Sequence, residues 1–235
     1  MTSNDLITSA PAYGRREKLA RIGFWSGAAY ALLLLVIHFA RPDVSIVWQT
    51  TSEYARGPGG WAMVVAFLLS AVGLLALALA ASRLLRSVLG RIGVVTLVVA
   101  AAGAVLGGVF VTDPIETSQA AMSVSGTVHG LGAGLALMLT PIAALIINIG
   151  ISRRTDSKKI KTLALILAPL PSAALVMFMV VQAVLLPADG QFGPDVAIGP
   201  AERVLVAAFA AWQIATSAML GRTGGWLSRP AKRDR

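Results

Sequence analysis

The stretch WAMVVAFLLSAVGLLALALAA, residues 61–81, runs twenty-one residues without a charge or a proline. A helix rises about 1.5 Å per residue, so this segment spans the roughly 30 Å of bilayer hydrocarbon. Five more stretches read the same way: about 22–40, 92–112, 127–150, 162–186 and 203–220. Each should be helical, because hydrocarbon offers backbone amides no other partner. The fold expected is an all-α integral membrane protein, a six-helix transmembrane bundle over 22–221. Basic tails, 1–21 and 222–235, flank it on the cytoplasmic side.

Composition agrees with that reading. The chain has 235 residues, 56% of them hydrophobic and 13% charged. A soluble domain of this length could not hide so much apolar surface. There is no cysteine, which excludes disulfides, thiolate nucleophiles and cysteine-ligated metal.

The net charge of +9 is concentrated next to the spans. Seventeen of the 20 Lys and Arg residues lie in the N-terminal tail, the second-to-third loop, the fourth-to-fifth loop and the C-terminal tail. Only Arg41, Arg56 and Arg203 fall in the alternate segments. That bias places both termini in the cytoplasm. It also argues against nucleic acid as a partner and for membrane lipids. The first span lacks a small-x-small cleavage site, so an uncleaved signal anchor is expected.

The outer segments hold Asp43, Glu53, Asp113, Glu116, Asp189, Asp195 and Glu202. Ionisable residues at membrane depth are costly and point to function by default. His38, Glu53, Tyr54, Asp113, Glu116, His129, Gln182, Glu202 and Arg203 all map to the outer half. Gln213 and Thr216 continue a polar stripe inward from Glu202. Arg203 wants a carboxylate, with Asp113, Glu116, Glu53 and Glu202 as candidates. The two histidines lack metal-ligand spacing, and no phosphate loop or serine-nucleophile motif is present. No cofactor or metal is expected.

Glycines give a packing signal. Gly103 and Gly107 in the third span, and Gly126, Gly130 and Gly134 in the fourth, repeat every four residues. Such faces let backbones approach, so the third and fourth helices should pack through them. Pro141, Pro169 and Pro171 should kink their helices.

Four stretches together resemble the bacterial family called domain of unknown function 998. They are Thr51-Ser52-Glu53-Tyr54 ahead of Trp61, Gly107 to Pro114, Ser125 to His129, and Glu202-Arg203 followed by Trp212. One departure is Val111, where the family usually has proline. The resemblance implies a small multi-pass protein, in the bacterial cytoplasmic membrane, with no assigned activity.

Three functions fit these residues. The favoured one is binding or transport of a lipid-like or small anionic ligand in an outward-facing polar crevice. Glu53, Asp113, His129, Glu202 and Arg203 would line it, with Arg203 as the anion contact. An intramembrane hydrolase is the second, with His129 as base, Asp113 orienting it, and Ser52, Ser123 or water as nucleophile. A structural or accessory subunit braced by the polar cluster is the third.

Overall fold

The computed structural model describes residues 10–188 and 190–227, with side chains for 14–188 and 190–221. The described chain is all-α. Its helices are α1 (Ala10–Ala40), α2 (Trp61–Ser82), α3 (Val88–Val109), α4 (Val124–Ser152), α5 (Lys158–Leu167), α6 (Leu170–Leu185) and α7 (Gly199–Leu227). With α5 and α6 counted as one span, six helical segments are long and apolar enough to cross a membrane.

Neighbours in sequence are neighbours in space. α1 packs on α2, α2 on α3, α3 on α4, α4 on α5 and α6, and α6 on α7. α7 then closes the ring against α1. Ala20 of α1 packs in one buried cluster with Met219 and Leu220 of α7, so the outermost helices meet at one end. That end also carries the Arg83, Arg86, Arg153 and Arg154 loops and is called the basic end. Tyr54, Met63 and Val206 cluster at the other, acidic end.

Helix limits differ from the sequence expectation in informative ways. α1 starts at Ala10 and α7 runs to Leu227, so the described parts of the expected tails are helical. The remainder of both tails, and Asp189, lie outside the described residues. α3 stops at Val109 rather than Thr112, because Phe110 turns extended. The fifth span breaks at Pro169, which lacks the amide that α-helical continuation needs. Pro141 lies inside an uninterrupted α4.

The glycine stripe of α4 is corrected. α3 and α4 do share the largest helix interface. However, a Cβ at Gly130 or Gly134 would meet nothing within 4 Å. Gly132 makes the approach instead. A Cβ there would lie 2.7 Å from the Gly103 carbonyl oxygen and 2.6 Å from Leu106 Cβ. Of the repeat only Gly126 is crowded, against the Asp113 carboxylate, and the opposite face, one half-turn on at Gly132, is the one that packs on α3.

Deep in the bundle, Trp212 Nε1 of α7 donates to Asn148 Oδ1 of α4 at 3.1 Å. Asn148 Nδ2 donates to the Ala164 carbonyl of α5 at 3.4 Å, and the Thr216 hydroxyl lies 3.3 Å from it. One amide thus ties α4, α5 and α7 where an unpaired polar group would be costly.

Candidate functional site

The first loop, residues 41–60, folds over the acidic ends of α1 and α7. Arg41 organises it. Its guanidinium donates to both Asp43 oxygens at 2.8 and 2.7 Å, and to the carbonyls of Tyr54 and Pro58. The hydrogen bonds from Arg41 hold the Asp43 carboxyl below its ordinary range. The loop then reaches α7 through Gly199 N–H, which donates to the Val47 carbonyl at 2.9 Å.

The single turn Thr51–Ala55 inserts its side chains into the bundle. Thr51 donates its hydroxyl to Glu202 Oε1 at 2.7 Å, and its amide to Glu202 Oε2 at 3.2 Å. Glu202 is thereby buried with two donors on its carboxylate. Glu53, also buried, takes Arg56 Nη1 at 2.6 Å and Gln49 Nε2 at 3.2 Å. Burial pushes the Glu53 carboxyl above its ordinary range, and the Arg56 ion pair offsets only part of that.

Arg203 is the hub of this end. Its Nε donates to His38 Nε2 at 2.9 Å. Its Nη1 donates to the carbonyls of Gln49 and Gly199 at 2.8 and 3.1 Å. Nη2 has one long contact, 3.5 Å to the Tyr54 hydroxyl. The nearest acid is Glu202, with 3.9 Å between Nη1 and Oε2. His38 Nδ1 lies 2.7 Å from the Leu34 carbonyl, so Nδ1 carries the proton. Its Nε2 is then the acceptor that Arg203 uses, and the imidazole is neutral.

The other predicted pair takes a different form. Asp113 does not orient His129. Its carboxylate accepts the Ser123 amide at 2.7 Å and the Ser123 hydroxyl at 2.9 Å. Ser123 in turn caps α4 by accepting the Gly126 amide. His129 Nδ1 lies 2.9 Å from the Phe110 carbonyl, and the Ser125 hydroxyl donates to the Val111 carbonyl at 2.8 Å. These are the carbonyls released where α3 unwinds. The stretch 110–113 is therefore zipped to 123–129. The neighbouring nucleophile candidate Ser52 shares a 2.9 Å hydrogen bond with Thr50. His129, Asp113 and a serine do not assemble a relay among the described residues.

The five residues singled out by sequence thus separate. Glu202 and Arg203 sit together, while Glu53, on the same turn as Thr51, pairs with Arg56 and Gln49 and meets Ile115 and Glu116 after α3. Asp113 belongs to the α3–α4 clasp. His129 joins that clasp and also faces a central cavity with Glu202. Sequence reasoning overlooked His38 as the partner of Arg203, and Asn148 altogether. A lone amide in an Ile-rich span was the available signal for the latter.

Two spaces open beside these groups. A groove of about 440 Å³ runs between α1 and α7, lined by Leu34, Leu35, Phe39, Ile46, Val206 and Ala207, with His38 and Arg203 on it. The central cavity, about 220 Å³, reaches α1, α2, α3, α4, α6 and α7. Tyr30, Val206 and Ala210 line both and form the wall between them.

A family model described as a protein of unknown function, DUF998, matches residues 24–219. No curated protein and no solved structure matches the chain. The four stretches that suggested the resemblance pair off in space. Residues 51–54 meet 202–203, and 110–113 meet 123–129.

Proposed function

The chain belongs to the DUF998 family of small multi-pass membrane proteins, and we propose that it holds an anionic, lipid-like ligand in the α1–α7 groove. One observation carries this reading. Arg203 stands with His38 and Tyr30 at a largely apolar groove, and among the described residues Nη2 is supplied only by a long Tyr54 contact. Its other donors are fixed on His38, Gln49 and Gly199, so the guanidinium is held in place before a ligand arrives. A phosphate or carboxylate would take Nη2 in a charge-assisted bond. Acyl chains would lie along Leu34, Phe39 and Val206.

Glu202 and Glu53 serve this site from behind. They anchor the first loop through Thr51 and Arg56 and keep it folded over the groove's mouth. Asp113 and His129 hold the α3–α4 end of the same face. Arg excess at the basic end supports cytoplasmic termini and, with them, a groove mouth at the outer leaflet. The family's bacterial membership supports the cytoplasmic membrane as its location.

The test uses the full chain in nanodiscs of phosphatidylethanolamine and phosphatidylglycerol. Native mass spectrometry counts retained phosphatidylglycerol for wild type, Arg203→Met and Ala207→Trp. Ala207→Trp fills the groove while leaving Arg203 and its partners His38, Gln49 and Gly199 unsubstituted. The reading expects both variants to fold and to lose the lipid. Lipid retained by a folded Ala207→Trp protein removes the groove as the site. If Arg203→Met loses fold and lipid together while Ala207→Trp keeps both, Arg203 is a brace.

A further inference from the structure

The central cavity has an unusual donor–acceptor balance. His129 directs Nδ1 at the Phe110 carbonyl, 2.9 Å away, so in the neutral ring Nε2 faces an occupant as an acceptor. Thr140 sends its hydroxyl proton to the Ala136 carbonyl at 2.7 Å. Gln213 Nε2 donates to the Gly23 carbonyl at 3.4 Å, which leaves Oε1 as an acceptor. Glu202 contributes a carboxylate. These four groups line one cavity together with the hydroxyls of Tyr30, Thr50, Thr51, Ser52 and Ser70, and three of the four direct protons at backbone carbonyls. What these four leave for an occupant is mostly lone pairs, with the remaining lone pairs of a carboxylate that Thr51 and Arg203 already contact.

Four acceptors converging on one apolar cavity suit a hydrogen-bond donor. Phe67, Phe178 and Phe209 complete the wall, and aromatic faces attract cations when water is scarce. The volume, about 220 Å³, lies below the roughly 300–1,000 Å³ of drug-sized pockets. We infer that the central cavity is a binding site for a small amphipathic ammonium, its N–H groups on Glu202 and His129 and its apolar body among the phenylalanines. This site is distinct from the groove. The wall of Tyr30, Val206 and Ala210 separates them, and they prefer opposite charges.

The chain has only two histidines, one beside each space. Imidazole ¹⁵N and ¹³C spectra of the full-length protein in nanodiscs therefore report both sites separately. The probe is phenethylammonium, with phenylacetate as the matched anion. The inference expects a saturable shift of the His129 signals with the amine, none with phenylacetate, and an unmoved His38. Glu202→Gln should weaken amine binding by about tenfold or more, the loss expected for one charge-assisted hydrogen bond. Ala136→Leu fills the cavity from the opposite wall and should abolish the shift, so the test survives a misfolded Glu202→Gln. A cavity holding water only, with His129 unmoved, overturns the inference. So does an equal response to phenylacetate, or a shift of His38 alone. The amine and phenylacetate titrations of the wild-type protein leave the phosphatidylglycerol count untouched, so failure of the cavity reading and failure of the groove reading are distinguishable.

Discussion

Replacing Gly132 by alanine tests how α3 and α4 are held together. The new Cβ would sit 2.7 Å from the Gly103 carbonyl oxygen, 2.7 Å from the Gly107 amide nitrogen and 2.6 Å from Leu106 Cβ. Two of these three atoms are backbone, so no side chain can simply rotate away. The helices must separate along the largest interface in the bundle. Overpacking of this kind costs about 1–3 kcal/mol. Gly130→Ala and Gly134→Ala are matched controls on the same helix, because their Cβ atoms would meet nothing within 4 Å. Alanine raises helix propensity there, worth about 0.5–1 kcal/mol in the helix's favour. Equilibrium unfolding of the three variants in mixed detergent micelles, followed by circular dichroism, gives the comparison. Gly132→Ala should be destabilised and the controls neutral or stabilised. A neutral Gly132→Ala, or a Gly130→Ala loss of equal size, refutes this packing.

Three other outcomes follow from the same structure. Asn148→Leu leaves Trp212 Nε1 without its acceptor and should destabilise the bundle by about 0.6–1.7 kcal/mol, the range for buried membrane hydrogen bonds; Trp212→Phe in the same background should then add little. Glu53 is raised above the ordinary carboxylate value of 4.5 by burial, so its contribution is fully present below 4.5 and is lost as pH rises through the folded value. Denaturation midpoints across that window should therefore show Glu53→Gln gaining on wild type as pH increases, and a difference that shrinks instead contradicts the burial argument. The chain has no cysteine, so Ser118→Cys and Ser157→Cys each introduce a single thiol. An impermeant maleimide applied to whole cells should label the first and not the second, and the reverse pattern inverts the orientation.

The six spans were legible because a bilayer imposes a length and a composition that nothing else in the chain imitates. The ends of those spans were less legible. α3 ends three residues early, and His129 and Ser125 take up the carbonyls of Phe110 and Val111 just beyond it, which no periodic pattern announces. The polar site was half readable. Glu202 and Arg203 stood out, since charges at membrane depth are expensive. Their partners did not, because Arg203 meets His38 only through the rotation of α1 against α7. Asp113 looked like a companion for His129 from its place at the end of a span. The ten-residue return to Ser123 gave it another task. The glycine repeat of α4 misled in the same way, since the repeat identifies a smooth face and leaves the facing helix to decide which one is used.

The central claim is that Arg203 binds an anionic lipid along the α1–α7 groove. An experimental density map of the protein in native-lipid nanodiscs tests it most directly. The account predicts elongated density along Leu34 and Val206, ending in a headgroup within hydrogen-bond reach of Arg203 Nη2. A groove closed by its own side chains, or density that leaves Arg203 untouched, would contradict it.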